Sequence, residues 1–483
     1  MSETTATFRR PRAWVTFTTF VVILVSYFAV RAVFEPGSFA GDYPFGVAMV
    51  LGLLWALFHT AGQRQSGLAV DEAGITELKT QVNLPWPAIR EVRVDEEPVG
   101  RQTARVITLL GDGESVSFID AAAQVSTIGP APVDNAPALL AVVAARTGSA
   151  DLFPAEWRAA QPEPVADSRT PNATRTPGVG LVALLFKAGP KALKMGLKLL
   201  KTVKPGAAIL AVGAYSLVFS WRFALVVVLH VLIHELGHVF AMFRSGVPVR
   251  GVYLIPFFGG AAVSRGVART RAKSAYIAIN GPVWGTLLSV ALGAAHFALD
   301  GAHPVLGAAA AWGALINLFN LLPIFPLDGG RILASLALSS ERGLGAPALY
   351  ASLALGAGLA YVAHLELLVL MVLLGLLELG GALSARTLRP ALALMAPRDL
   401  DGPAFAHFAG LVLPSTVKGR DKVVAQRVTA FEQQKQEALQ TPMTVGQGLA
   451  VFAGYGALVA VLLGLLFLTR DLEGAGDPLG FLR

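Results

Sequence analysis

The order of apolar and polar positions divides this chain into stretches of two different periods. Long runs with few charges predict about nine membrane-crossing helices: Trp14 to Phe34, Tyr43 to Ala61, Ala207 to Ser220, Phe223 to Phe243, Ala275 to Ala298, Pro304 to Leu322, Ala346 to Ala363, Leu365 to Leu383 and Gly446 to Leu468. Between Gln63 and Ala160 the period falls to two. "GLAVDEAGITEL", "EVRVDEE" and "ARVITLLGDGESVSFID" alternate apolar and polar residues around turns such as Gly111-Asp112-Gly113, and "APALLAVVAARTG" closes them with one helix. Gln161 to Gly178 is a Pro-rich linker. After it, Lys187, Lys191, Lys194, Lys198 and Lys201 share one helical face opposite Leu, Ala and Met. Such a helix lies in the membrane interface with anionic lipid as its partner, or else packs as a solvated helix on the soluble domain.

The fold class expected is a polytopic α-helical membrane protein with a small cytoplasmic β-rich (α+β) domain. In order, the parts are an N-terminal transmembrane hairpin (1–62), the cytoplasmic domain (63–160), the linker (161–178), the basic helix (179–204) and a membrane core (205–340). A second hairpin (341–385), a cytoplasmic segment (386–444) and a last span with its tail (445–483) follow.

Composition narrows the chemistry. Hydrophobic residues make up 54% of the 483 and charged ones 15%, too apolar a balance for an ordinary soluble protein. The net charge of +7 gathers in connectors, at Arg9, Arg10 and Arg12 and at Arg265, Arg269, Arg271 and Lys273. That asymmetry puts the N-terminus in the cytoplasm of a multi-pass protein, in a bacterial inner membrane or an archaeal one. With no basic-aromatic module beside the charge, nucleic acid is not expected as a partner. Cysteine is absent, so any metal must be held by His, Asp or Glu.

Within the run Val226 to Phe243, "VVVLHVLIHELGHVFAMF" carries His230, His234, Glu235 and His238. Ionisable groups in hydrocarbon are costly and seldom kept without a task. His234 and His238 are four apart, so both imidazoles leave one helix face and can hold one metal ion. Glu235, one residue on, stands where a general base for water would. A catalytic zinc takes three protein ligands and keeps a fourth position open, so a third carboxylate or imidazole is required. His230 lies one turn earlier on the same face. It is a fourth ligand, which would close that position, a hydrogen-bond partner behind the ligands, or a histidine satisfied by a neighbouring helix.

A second motif, "NLFNLLPIFPLDGGRI", places Asn320, Pro323, Leu327, Asp328 and Gly329 in the order N-x-x-P-x-x-x-L-D-G. Together with H-E-x-x-H it resembles the site-2-protease family of intramembrane zinc metalloproteases, over about Ala207 to Leu338. The resemblance implies Zn2+ held by His234, His238 and Asp328, with Glu235 as catalytic base. It implies a membrane-protein substrate cut near the cytoplasmic side, in regulated intramembrane proteolysis. "VYLIPFFGGAAVS" is similar to the family's membrane-dipping hairpin, whose Gly259 and Gly260 would offer a strand edge to substrate. "INGPVWG" resembles its Gly-Pro span start, although the usual asparagine after the Pro is replaced by Gly285 or Thr286. Asn320 is a candidate to orient a substrate carbonyl. The strands of 63–160 resemble the bacterial pleckstrin-homology-like barrel, with Trp86 at a favoured position, though another small α+β type shares the pattern. His296, His303, His364 and Glu366 fall at outer span ends, and Glu378 sits in an apolar span with no catalytic part. Two other classes stay open: a non-proteolytic zinc-binding membrane scaffold, and a transporter, for which no internal repeat is present.

Overall fold

A computed structural model of the chain describes most of residues 67–120, 131–154, 201–255, 259–340, 345–362 and 402–469, with 6–8 and some single positions besides. In chain order the strands are β1 (Ala6–Phe8), β2 (Leu68–Val70), β3 (Gly74–Glu77), β4 (Asn83–Pro85), β5 (Glu91–Val99), β6 (Gln102–Leu110), β7 (Ser115–Asp120), β8 (Ala131–Val133), β9 (Val249–Ile255) and β10 (Gly259–Ser264). The helices are α1 (Ala136–Thr147), α2 (Pro205–Ser216), α3 (Trp221–Ser245), α4 (Arg271–Ala298), α5 (Pro304–Asn320), α6 (Asp328–Ala337), α7 (Gly345–Val362), α8 (Gly402–Leu411), α9 (Arg420–Ala438) and α10 (Val445–Thr469). They divide into two compact units, Met1–Val165 with Leu376–Leu439 and Ala166–Gly375 with Gln440–Arg483.

The first unit is β-rich. Two four-stranded sheets run in the orders β1-β2-β3-β4 and β5-β6-β7-β8, antiparallel throughout except for the parallel β7–β8 pair. Alternation sets which face is inward: in β7 the side chains of Val116 and Phe118 are buried, while Ser115 is exposed. The turn expected at Gly111–Gly113 is present, with Gly113 at φ 92°. Helix α1 buries Ala136 to Val143 and stops at Gly148, whose φ of 62° suits a glycine cap. Trp86 is buried in the same core and its indole N–H donates to the Asp71 carbonyl at 3.1 Å, so the ring enters without an orphaned donor.

Helices α8 and α9, from the segment expected to stand apart, share this core. Phe405 of α8 stacks on Phe431 of α9 at 3.9 Å, and both belong to the cluster that contains Leu139 and Phe118. Arg427 pairs with the buried Asp120 at 2.6 Å, and Arg146 donates to the Leu394 carbonyl at 3.0 Å. Glu96 accepts from the backbone N–H and hydroxyl of Ser415 at 3.0 and 2.8 Å and from Arg105 at 2.9 Å. These donors, Ser415 foremost, pull the Glu96 carboxyl from 4.5 down to about 2. A carboxyl lowered in the fold stabilises fully above its unfolded value and loses that contribution as pH falls through the folded one. Glu96→Gln is therefore expected to loosen α8–α9 by about 1 kcal/mol near pH 7, with the difference shrinking steadily below pH 4.5. Hydrogen exchange of the α8–α9 amides across that range reads the effect, and equal protection of both proteins at pH 7 would contradict it.

The second unit is helical. Among the described residues three helices are long and apolar enough to cross a membrane: Ala224–Ser245 within α3, Arg271–Ala298 (α4) and Val445–Thr469 (α10). Leu225 and Leu229 of α3, Leu287 of α4 and Phe452 of α10 are well exposed, an arrangement suited to hydrocarbon rather than water. These are the helices of a membrane protein. Helices α5 and α7 supply shorter apolar stretches, Pro304–Asn320 and Pro347–Leu359, and α2 has 12 residues. Most of the expected spans at 14–34, 43–61 and 365–383, most of the Lys-faced helix, and His364, Glu366 and Glu378 lie outside the described residues.

Small residues let these backbones approach. A side chain at Gly237 of α3 would run into the Asn280 carbonyl and meet Trp284 at 3.0 Å, so α3 and α4 close on each other at the middle of H-E-L-G-H. Thr270 caps α4 by accepting from the Lys273 N–H at 3.2 Å. Between α3 and α4 runs the β9–β10 hairpin, in register from Gly259↔Ile255 to Val263↔Gly251. Val203 bridges β9 at Val252 on its other side, which leaves β10 as the outer strand among the described residues.

Candidate metal centre

Helix α3 delivers three of the four groups. Its period stacks His234 and His238 on one face, ring centroids 4.9 Å apart and planes at 75°. Asp328 arrives from the first position of α6, and its carboxylate meets both imidazoles, Oδ2 lying 3.0 Å from His234 Nε2 and 3.2 Å from His238 Nε2. The two Nε2 atoms are 3.2 Å apart, and all three residues are buried.

The Asp328 backbone is held from several sides. Side chains at Gly329 and Gly330 would collide with the chain from Leu321 to Phe325, so L-D-G-G folds tightly under the end of α5. Ser352 of α7 donates to the Pro323 carbonyl, and Tyr455 of α10 to the Leu321 carbonyl. The last span thus braces the loop that carries the carboxylate.

The donor set fits a metal. Bonds of about 2.0–2.1 Å at tetrahedral angles put ligand atoms ~3.3 Å apart, close to the 3.0 to 3.2 Å observed among the three atoms. Each imidazole is also pinned with Nε2 inward. His238 Nδ1 donates to the Ile277 carbonyl at 2.8 Å, and His234 Nδ1 faces the Asn317 side-chain oxygen at 2.9 Å.

Glu235 is buried beside this group, and its Oε2 accepts from the Ala262 N–H of β10 at 2.7 Å. Gly260, in register with Leu254, lies flush with that carboxylate: a side chain there would press on its Oε1 at 2.7 Å. Gly259 adopts φ 92° at the start of the strand, with open space around the position of its missing side chain.

One expectation needs correction. The "INGPVWG" stretch is no span start: α4 begins at Arg271, so Gly281 and Pro282 lie inside it, because capping at Thr270 sets the helix end upstream. Asn320 donates its amide to the Ile316 carbonyl of its own helix at 3.2 Å, and Asn317, one turn back, faces the histidines. Sequence reading missed Asn317 and noticed Gly281 only as part of the Gly-Pro motif. The available signals were an amide within an apolar run and a glycine one face away from H-E-x-x-H. A side chain at Gly281 would strike His238 Nε2 and lie 2.7 Å from His234 Nε2. Gly281→Ala is thus expected to cut zinc affinity at least tenfold in folded protein, and chelator competition matching the wild type would exclude it. His230 lies behind His234, joined to it through Asn317, while His296 is buried in the last turn of α4.

Proteins of known type resemble this chain over a limited part. A Mycobacterium tuberculosis protein provisionally named zinc metalloprotease Rip3 is 37% identical over 143 residues, 28% of this chain and 35% of that one. Zinc metalloprotease MJ0392 of Methanocaldococcus jannaschii is 31% identical over 116 residues, 23% of this chain and 33% of its own length. Over about a quarter of its length, the chain is similar to zinc metalloproteases. The alignments span about a third of each relative. A solved site-2 protease from Methanocaldococcus jannaschii shares 24% identity at a TM-score of 0.26, covering 36% of this chain and 82% of that one. No protein-family model matches. The zinc-metalloprotease reading drawn from the two motifs agrees with the two curated relatives, and the His234–His238–Asp328 group fits Zn2+.

Proposed function

We propose that this chain is a zinc-dependent intramembrane endopeptidase that hydrolyses a membrane-spanning protein near its cytoplasmic side, as in regulated intramembrane proteolysis. The observation that carries the reading is a buried two-histidine, one-aspartate group with a second carboxylate, Glu235, set beside it and held by a strand. When bound, zinc would polarise the scissile carbonyl and make water a nucleophile near neutral pH. His234, His238 and Asp328 would hold it. Ala262 occupies Oε2 of Glu235, so Oε1 is the oxygen that takes the proton and returns it to the departing amine. Gly259 and Gly260 on outer strand β10 give an extended substrate a backbone edge to pair with, which keeps its amides out of a helix and open to attack. Asn320 remains a candidate for the substrate carbonyl.

Topology supports the same reading: α3 ends at Arg244 and Ser245, the chain reaches α4 through the basic residues Arg265 to Lys273, and Arg331 follows Asp328, so both halves of the site belong to the inner leaflet of a cytoplasmic membrane. The Lys-faced helix would sit on anionic lipid there. In purified protein, chelation is expected to abolish cleavage of a test transmembrane substrate, and added Zn2+ to restore it. Full zinc occupancy with no cleavage of any such substrate would favour the scaffold reading.

A further inference from the structure

Behind the ligands lies a polar group that the ligand set does not require, and the following inference rests on the zinc reading. We propose that Asn317 and His230 are positioning residues which hold His234 in the one tautomer able to bind a cation. Their hydrogen bonds leave little choice of orientation. The Asn317 Nδ2 atom lies 2.7 Å from the Gly313 carbonyl, an oxygen that only accepts, so this atom is the NH2 of the carboxamide. The Oδ1 atom is then the one 2.9 Å from His234 Nδ1, and it must receive that nitrogen's proton. With the proton on Nδ1, His234 turns the lone pair of Nε2 towards Asp328 and His238. The second hydrogen of Nδ2 goes to His230 Nε2 at 2.8 Å, which makes that nitrogen the acceptor and puts the His230 proton on Nδ1. Ser289 does not compete, because its hydroxyl donates to the Gly285 carbonyl at 2.9 Å.

His238 is pinned differently, by the Ile277 backbone carbonyl. His234 is thus the ligand whose tautomer depends on side chains. The fold makes room for them with two glycines: a side chain at Gly285 would enter the Asn317 carboxamide, and one at Gly313 would enter the His230 ring and reach Ser289 Oγ at 2.6 Å. His230, Ser289 and Asn317 are fully or almost fully enclosed, and His230 Nδ1 has no protein partner among the described residues. An apolar trio would pack there without an orphaned donor, so packing alone does not account for these residues.

The test compares full-length wild type with Asn317→Leu, His230→Phe, His230→Gln and His234→Ala, reading zinc affinity by chelator competition and the melting temperature of zinc-free protein. Asn317→Leu is expected to weaken zinc binding ~10- to 100-fold. His230→Phe should weaken it several-fold, and His230→Gln, whose carbonyl can accept from Asn317, should stay within about twofold. A purely structural role would move the zinc-free melting temperature and leave the affinity of folded protein unchanged. Wild-type zinc affinity in folded Asn317→Leu overturns the proposal. Should that variant not fold, identical affinities for His230→Phe, His230→Gln and wild type overturn it instead. Wild-type affinity in His234→Ala would mean that the zinc reading itself has failed.

Discussion

Replacing Glu235 by Gln is expected to slow cleavage of a transmembrane substrate by about 10²- to 10⁴-fold, the usual worth of a positioned general base, with the zinc content unchanged. The two halves of that expectation have separate physical sources. Glutamine has the size of glutamate and can still accept the Ala262 N–H through its carbonyl, so the 2.7 Å contact that fixes the side chain survives. The three ligand atoms lie within 3.2 Å of one another without any contribution from Glu235, so the metal site should fill as before. What disappears is a carboxylate able to hold a proton. Alanine would be a poorer test, because it would leave the Ala262 N–H facing a void. Unchanged cleavage would remove Glu235 from the reaction, and lost zinc would place it among the ligands. A site built only for structure has no use for a buried carboxylate beside the ligands.

What the sequence made legible was set by the range of the interactions. His234 and His238 are related by one helical turn, so their convergence follows from local geometry alone. The β-rich unit was readable for the same reason: alternation in β7, the Gly111–Gly113 turn and the Gly148 cap are each decided within a few residues. Asp328, 94 residues beyond His234, could be joined to the pair only by resemblance. Asn317 escaped altogether, since its role depends on α5 facing α3 in one rotation, and the motif resemblance drew attention to Asn320 instead. Gly281 was noticed only as part of the Gly-Pro motif, because its closeness to the histidines shows only once the helix opposite is known. The membership of α8 and α9 in the first unit was hidden by distance, with Arg427 some 300 residues from its partner Asp120 and only scattered apolar positions in an otherwise polar segment.

Removal of the third ligand should have the largest effect on the metal. Apparent zinc binding free energies of ~10–16 kcal/mol over four ligands amount to about 3 kcal/mol for each, or ~10²-fold in affinity at 1.4 kcal/mol per tenfold. Asp328→Ala and His234→Ala are therefore both expected to bind zinc on the order of 10²-fold more weakly and to lose cleavage with it. The informative variant is Asp328→Asn. It keeps the shape that fits the tight turn at Gly329 and Gly330 and the bracing of Pro323 and Leu321 by Ser352 and Tyr455, so the loop should hold its place. It keeps hydrogen-bond partners for both imidazoles, so the zinc-free protein should melt close to the wild type. A neutral carboxamide is nevertheless a weak ligand for a divalent cation. Asp328→Asn is thus expected to lose zinc as Asp328→Ala does while remaining folded, which separates charge donated to a metal from the mere filling of space. Zinc analysis and melting curves of the two variants side by side decide it. Wild-type zinc content in Asp328→Asn would mean that the carboxylate, although 3.0 Å from His234 Nε2, is not a ligand.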